Sequence, residues 1–122
     1  MDIETYWNDV ISKRREAIPD YFCENAIIRW HCTNEQFNVA EYVRANCDYP
    51  GEWDGEIERV EKNGNIIIIA GRVTPMDQSD SFHVVSFIRM KDDKILELDE
   101  YWSDDGDVPA WRKEMKIGKP IR

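Results

Sequence analysis

From Trp53 to Ser103 the chain runs through four segments, "WDGEIERVEKN", "IIIIAGRVT", "SFHVVSFIRM" and "KILELDEYWS", separated by "NGN", "PMDQSD" and "KDD". The segments are rich in β-branched and aromatic residues, and the separators consist of residues that turn the backbone. Connectors this short join neighbours, so the pattern predicts four consecutive strands in an antiparallel meander. In "SFHVVSFIRM", Phe82, Val84, Ser86 and Ile88 share one face and His83, Val85, Phe87 and Arg89 the other. Apolar groups on both faces imply that both are covered.

Before the meander the pattern changes period. Ile3, Tyr6, Trp7, Val10, Ile11 and Ile18 recur mostly at three- and four-residue steps, which predicts an amphipathic helix over 3–18, stopped by Pro19. "AIIRWHC" then suits a pleated surface and predicts a first strand over about 27–31, with "TNEQF" following as turn and capping residues. Val39, Tyr42 and Val43 are at helical spacing in "NVAEYVRANC", a second helix ended by "DYPG". Helix, strand, helix and four strands, with no repeat or linker, predict one α+β domain over 1–122, a long curved antiparallel sheet with helices on one face.

Charge and cysteine content narrow the partners. Sixteen basic against twenty-five acidic residues give a net charge of −9, which repels phosphate backbones and anionic lipid, so neither nucleic acid nor a membrane is expected as partner. No apolar run approaches the roughly 20 residues of a membrane span, and "MDIETYWNDVISKRRE" lacks the basic-then-apolar order of a signal peptide, so a cytoplasmic protein is expected. Cys23, Cys32 and Cys47 are odd in number and lack CxxC spacing, which argues against a disulfide framework or a cysteine-rich zinc site. Only two histidines exist, without HxH or HxxxH spacing, and no glycine-rich phosphate loop, GxSxG, HExxH or EF-hand pattern occurs. No metal and no cofactor is expected.

The succession of elements, with "AIIRWHCTNEQF" at the first strand and "KILELDEYW" at the last, resembles the nuclear transport factor 2-like (NTF2-like) superfamily and, within it, the SnoaL-like small bacterial members. The resemblance spans essentially the whole chain. It implies a cone-shaped barrel, a curved sheet with helices on its concave face and a pocket between them, and a homodimer formed through the outer sheet face. The superfamily includes ketosteroid isomerase, polyketide cyclases, scytalone dehydratase, limonene epoxide hydrolase and binding domains that catalyse nothing, so the fold alone selects no activity.

The chemistry-bearing residues gather on "LELDEYW". Alternation puts Leu96, Leu98, Glu100 and Trp102 on one face and Glu97, Asp99 and Tyr101 on the other, so the first face should line the cone. A carboxylate among apolar groups loses hydration and its pKa rises towards the range useful for proton transfer. Glu100 is thus the leading candidate acid or base, with Asp99 in its place if a bulge exchanges the faces, and Tyr101, Tyr6 or His83 as hydrogen-bond donors. The alternative is a wet rim position for Glu100, paired with Arg29, Arg59, Arg72 or Arg112. His83 belongs to the dimer interface unless the register reverses, when it becomes a general base. Tyr6, Trp7, Trp30, Trp53, Ile57, Ser86 and Trp102 are expected to line the pocket, and Trp111 and Arg112 to reach its mouth or remain on a solvated tail. The readings that follow are a small-molecule-binding domain for an apolar organic ligand, a cofactor-free isomerase, dehydratase or cyclase, and a dimerising module without a ligand.

Overall fold

The computed structural model describes all 122 residues. Helix α1 (Ile3–Ile11) and a 3-10 turn (Ile18–Tyr21) precede strands β1 (Phe22–Trp30) and β2 (Glu35–Phe37) and helix α2 (Val39–Cys47). The meander follows as β3 (Trp53–Asn63), β4 (Ile66–Pro75), β5 (Phe82–Lys91) and β6 (Lys94–Asp104), and a short helix α3 (Ala110–Met115) ends the order. All six strands form one sheet, in the order β2-β1-β6-β5-β4-β3. The α+β class, the curved sheet with its helices and the four-strand meander match the expectation from sequence.

Several details differ from it. The sheet is mixed, because β1 runs parallel to β6, with Ile28 opposite Leu98 and Trp30 opposite Glu100. It is also open, since its end strands β2 and β3 do not pair, so the cone is no closed barrel. Strand β1 begins earlier than expected, and "TNEQF" supplies a strand instead of only a turn: Glu35–Phe37 pairs back antiparallel on Ile28–Trp30. The first helix stops at Ile11, well short of Ile18, because Lys13 turns left-handed at φ 59° and its ammonium group reaches the Tyr49 and Gly51 carbonyls. Residues 12–16 carry no apolar side chain to hold a further turn against the sheet.

Local chemistry fixes the helices. Asp2 caps α1 by accepting from the Thr5 N–H at 3.0 Å. Asn38 and Glu41 form a reciprocal capping box at the start of α2, with bonds of 2.8 and 2.9 Å. Bulges curve the sheet, as extra residues in antiparallel pairs do. In β6 the register slips between the Arg89–Glu97 and Met90–Ile95 pairs. Ile95 and Leu98 are consequently both fully buried, and Leu96 loses the inward place that simple alternation gave it. Another slip between Ile57 and Arg59 bends β3.

The core joins Ile18, Ile28, Ile69, Ile88, Ile95 and Leu98 beneath the helices. Trp7 of α1 lies flat against glycine backbone: a Cβ at Gly71 would stand 2.3 Å from the Trp7 ring and one at Gly55 3.1 Å from it. Two glycines in adjacent strands thus make the seat for an indole. No helix is long and apolar enough to cross a membrane.

Gly71→Ala is expected to destabilise the protein by about 1–3 kcal/mol, the usual cost of overpacking, while Gly106→Ala, where nothing lies within 4 Å of the added methyl, is expected to be near neutral. Denaturant unfolding of the two variants checks this; equal stabilities would mean that Trp7 is not seated on Gly71.

Candidate functional site

Residues Trp30, Glu100, Ser86 and Ile69 form one row across β1, β6, β5 and β4, each opposite the next in register. All four face the helices and line a cavity of about 120 Å³, several times the space that one buried water requires. Thirteen of its seventeen lining residues are hydrophobic. The first helix contributes Tyr6, Trp7 and Val10, and α2 contributes Tyr42 and Asn46.

Glu100 is the one carboxylate lining this space. It is half-buried on the wall of this largely apolar cavity. One carboxylate oxygen accepts from the Trp30 indole N–H at 3.1 Å and the other from the Ser86 hydroxyl at 2.5 Å. Desolvation raises its pKa above the ordinary carboxyl value, and the two hydrogen bonds offset only part of that rise. None of the arginines considered for it from sequence reaches it. Arg29 bonds Glu97 and Asp99, Arg59 bonds Glu61, Arg72 approaches Asp105 and Arg112 lies over Trp111.

Two phenols share the enclosure. Tyr6 and Tyr42 are 4% and 1% exposed. Burial pushes both pKa values up, reinforced by the Glu100 charge, and the two hydroxyl groups influence one another. Tyr42 was not singled out as a site residue from sequence, although its position on the apolar face of "NVAEYVRANC" was the available signal. Tyr49 and Phe82 also line the cavity unanticipated. The Trp7 indole N–H is the single buried side-chain polar atom without a partner, whereas the Trp53 N–H donates to the Pro50 carbonyl at 2.8 Å.

Of the residues expected at the pocket, Tyr6, Trp7, Trp30, Trp53, Ser86 and Trp102 line it, and Ile57 packs on the core without reaching it. Asp99, Tyr101 and His83 are not brought there. Asp99 lies on the outer face at 2.7 Å from His31 Nε2, and Tyr101 stacks on that imidazole with ring centroids 4.3 Å apart. His83 is also outside, its Nδ1 2.5 Å from Asp105 and its Nε2 2.9 Å from Arg122. Trp111, 60% exposed on α3, reaches neither the cavity nor the core. No group of three or more histidine, cysteine or acidic side chains converges in a metal-holding arrangement.

No protein-family sequence model matches the chain, and no curated protein matches it in sequence. Solved structures do match its shape. A candidate ketosteroid isomerase from Kribbella flavida superposes with a TM-score of 0.80 at 19% identity, over 97% of this chain and 87% of that one. An NTF2-like protein of unknown function from Burkholderia xenovorans gives 0.78 at 18%, over 97% and 91%. A protein of ketosteroid isomerase-like fold from Catenulispora acidiphila, solved in complex with trimethylamine, gives 0.69 at 11%, over 82% and 84%. The chain has the NTF2-like fold, which it shares with ketosteroid isomerase-like and SnoaL-like polyketide cyclase proteins.

The raised Glu100 pKa has a stability consequence. Between the unfolded carboxyl value and the higher folded one, the native state binds more protons than the unfolded state, so this residue's contribution falls as pH rises through that window. Glu100→Gln is therefore expected to be more stable than the native protein at neutral pH, with the difference closing as pH falls below the ordinary carboxyl pKa of about 4.3. Thermal melts of both proteins across pH test it; a native protein more stable at neutral pH would show that the carboxylate is not held at a cost.

Proposed function

We propose that this protein binds a small, largely apolar organic molecule in the cavity between sheet and helices, with Glu100 receiving its polar end. One observation supports the reading: a largely apolar cavity lined by aromatic residues holds a single carboxylate fixed by Trp30 and Ser86. The Catenulispora protein of the same fold holds a small organic molecule, which supports the fold's capacity for such ligands.

The test is titration with compact aromatic and alicyclic compounds, read by tryptophan fluorescence, since Trp7, Trp30, Trp53 and Trp102 all line the cavity. A saturable change that disappears in Val10→Phe, a variant that fills the space from α1, is expected. An unchanged response in a folded Val10→Phe protein would place the ligand elsewhere, and silence across the panel would remove the reading.

A second reading, a cofactor-free isomerase, dehydratase or cyclase, is favoured by a carboxyl group of raised pKa beside the Tyr6 and Tyr42 phenols. Glu100 would move the proton and a phenol would donate to the developing oxyanion. Conversion of a bound compound that stops in Glu100→Gln, with binding retained, would favour this reading over binding alone.

The outer sheet face supports an isologous homodimer. Phe87 and Tyr101, 41% and 47% exposed, stand with the half-buried Ile66, Ile68 and Val85 on the face opposite the helices. Three unpaired cysteines suit a reducing compartment and support a cytoplasmic location. Light scattering at micromolar concentration is expected to give a dimer for the native protein and a monomer for Phe87→Glu; a native monomer would refute the interface.

A further inference from the structure

We propose that the ligand of this cavity is an amine, a small aromatic or aliphatic molecule carrying a protonated nitrogen with at least one N–H. The inference rests on the reading of the cavity as a small-molecule site and assigns that ligand's chemical class.

The argument begins with what Glu100 lacks. Its two oxygens accept from neutral donors, the Trp30 indole and the Ser86 hydroxyl, which orient the group but leave its charge uncompensated. Every arginine that makes an ion pair makes it with another carboxylate: Arg14 with Asp9, Arg15 with Asp48, Arg29 with Glu97 and Asp99, Arg89 with Glu97, Arg122 with Glu58, and Arg59 and Arg72 as described. The cavity has one cationic lining residue, Lys13, and its ammonium group is engaged by the Tyr49 and Gly51 carbonyls. Enclosed charges are ordinarily paired. No cationic side chain lining the cavity pairs with Glu100, so a counter-charge, where one is supplied, comes with the ligand.

What remains open on the carboxylate fits such a partner. A carboxylate offers about four lone-pair positions, and two are used. The incoming group must donate, because the vacant positions accept. The walls agree: Trp30, Trp53, Trp102 and Tyr6 border the same space, and aromatic rings attract a cation that leaves water against them. An anionic ligand would meet repulsion from Glu100 and from the net charge of −9. A neutral alcohol could donate one hydrogen bond and leave the charge unbalanced.

The experiment compares three probes of matched shape, benzylamine, benzyl alcohol and benzoate, by calorimetric or fluorescence titration at pH 7 in about 0.15 M salt, where exposed charges are largely screened. Benzylamine is expected to bind at least about tenfold more tightly than benzyl alcohol, a difference of about 1.4 kcal/mol, and benzoate more weakly than either. In Glu100→Gln the amine preference is expected to fall to within about twofold while benzyl alcohol still binds, as loss of one charge pair alone requires. Benzyl alcohol or benzoate binding as tightly as the amine, or an amine preference undiminished in Glu100→Gln, would overturn the proposal and leave the small-molecule site standing. Failure of all three probes, and of toluene, would overturn both. Should Glu100→Gln fail to fold, the ranking of the three probes on the native protein still decides for or against the amine.

Discussion

The carboxylate of Glu100 is held from both sides by the strands that flank it. Trp30 reaches it from β1 and Ser86 from β5, and both contacts depend on register. The parallel pairing of β1 with β6 sets Trp30 opposite Glu100, and the antiparallel pairing of β5 with β6 sets Ser86 opposite it. A slip of one residue in either pair would turn the donor to the other face. The sheet's register and the chemistry of its concave face are therefore a single constraint, and the fully buried Ile28, Leu98 and Ile88, two residues along each strand in the next row on the same face, hold it in place.

The cavity survives because the helices are kept at a distance on one side and drawn close on the other. Gly55 and Gly71 let Trp7 settle onto the backbone of β3 and β4, which brings α1 down at that side. Near β1 the contacts are bulky: Phe22 meets Tyr42 with centroids 5.6 Å apart, and Trp30 meets Phe37 and Tyr42 at 4.9 and 6.2 Å. Asp9, 6% exposed, binds the Tyr21 hydroxyl at 2.5 Å and so ties the buried face of α1 to the 3-10 turn. Aromatic edges set the spacing between layers, and the room left between them is the site.

The fold was legible in the sequence because its strongest signals are local. Alternation in "SFHVVSFIRM" and the turn residues in "NGN" and "KDD" act over a few positions, and those strands formed as read. Glu100 was legible for the same reason: Leu98, Glu100 and Trp102 keep their alternation downstream of the bulge. Leu96 was not, because the slip beside it depends on how β5 pairs, and nothing within "KILEL" announces it. The parallel β1–β6 pair was hidden likewise, since strands about 70 residues apart in sequence leave no local mark on one another. Tyr42 was visible as a member of an apolar helix face, and only the packing of α2 over β1 converts that face into a cavity wall.

The two faces of β6 treat their acidic residues in opposite ways. Outside, Glu97 is bonded by Arg29 and Arg89, and Asp99 by Arg29 and His31, all partly open to water. Inside, where hydration is poorest and a counter-charge would matter most, Glu100 is given an indole and a hydroxyl. Stability alone would favour the reverse, because an apolar residue at position 100 avoids the desolvation and a paired arginine offsets it. A carboxylate kept where hydration is poor, beside a cavity and with unused acceptor positions, is the feature on which the proposed ligand chemistry rests.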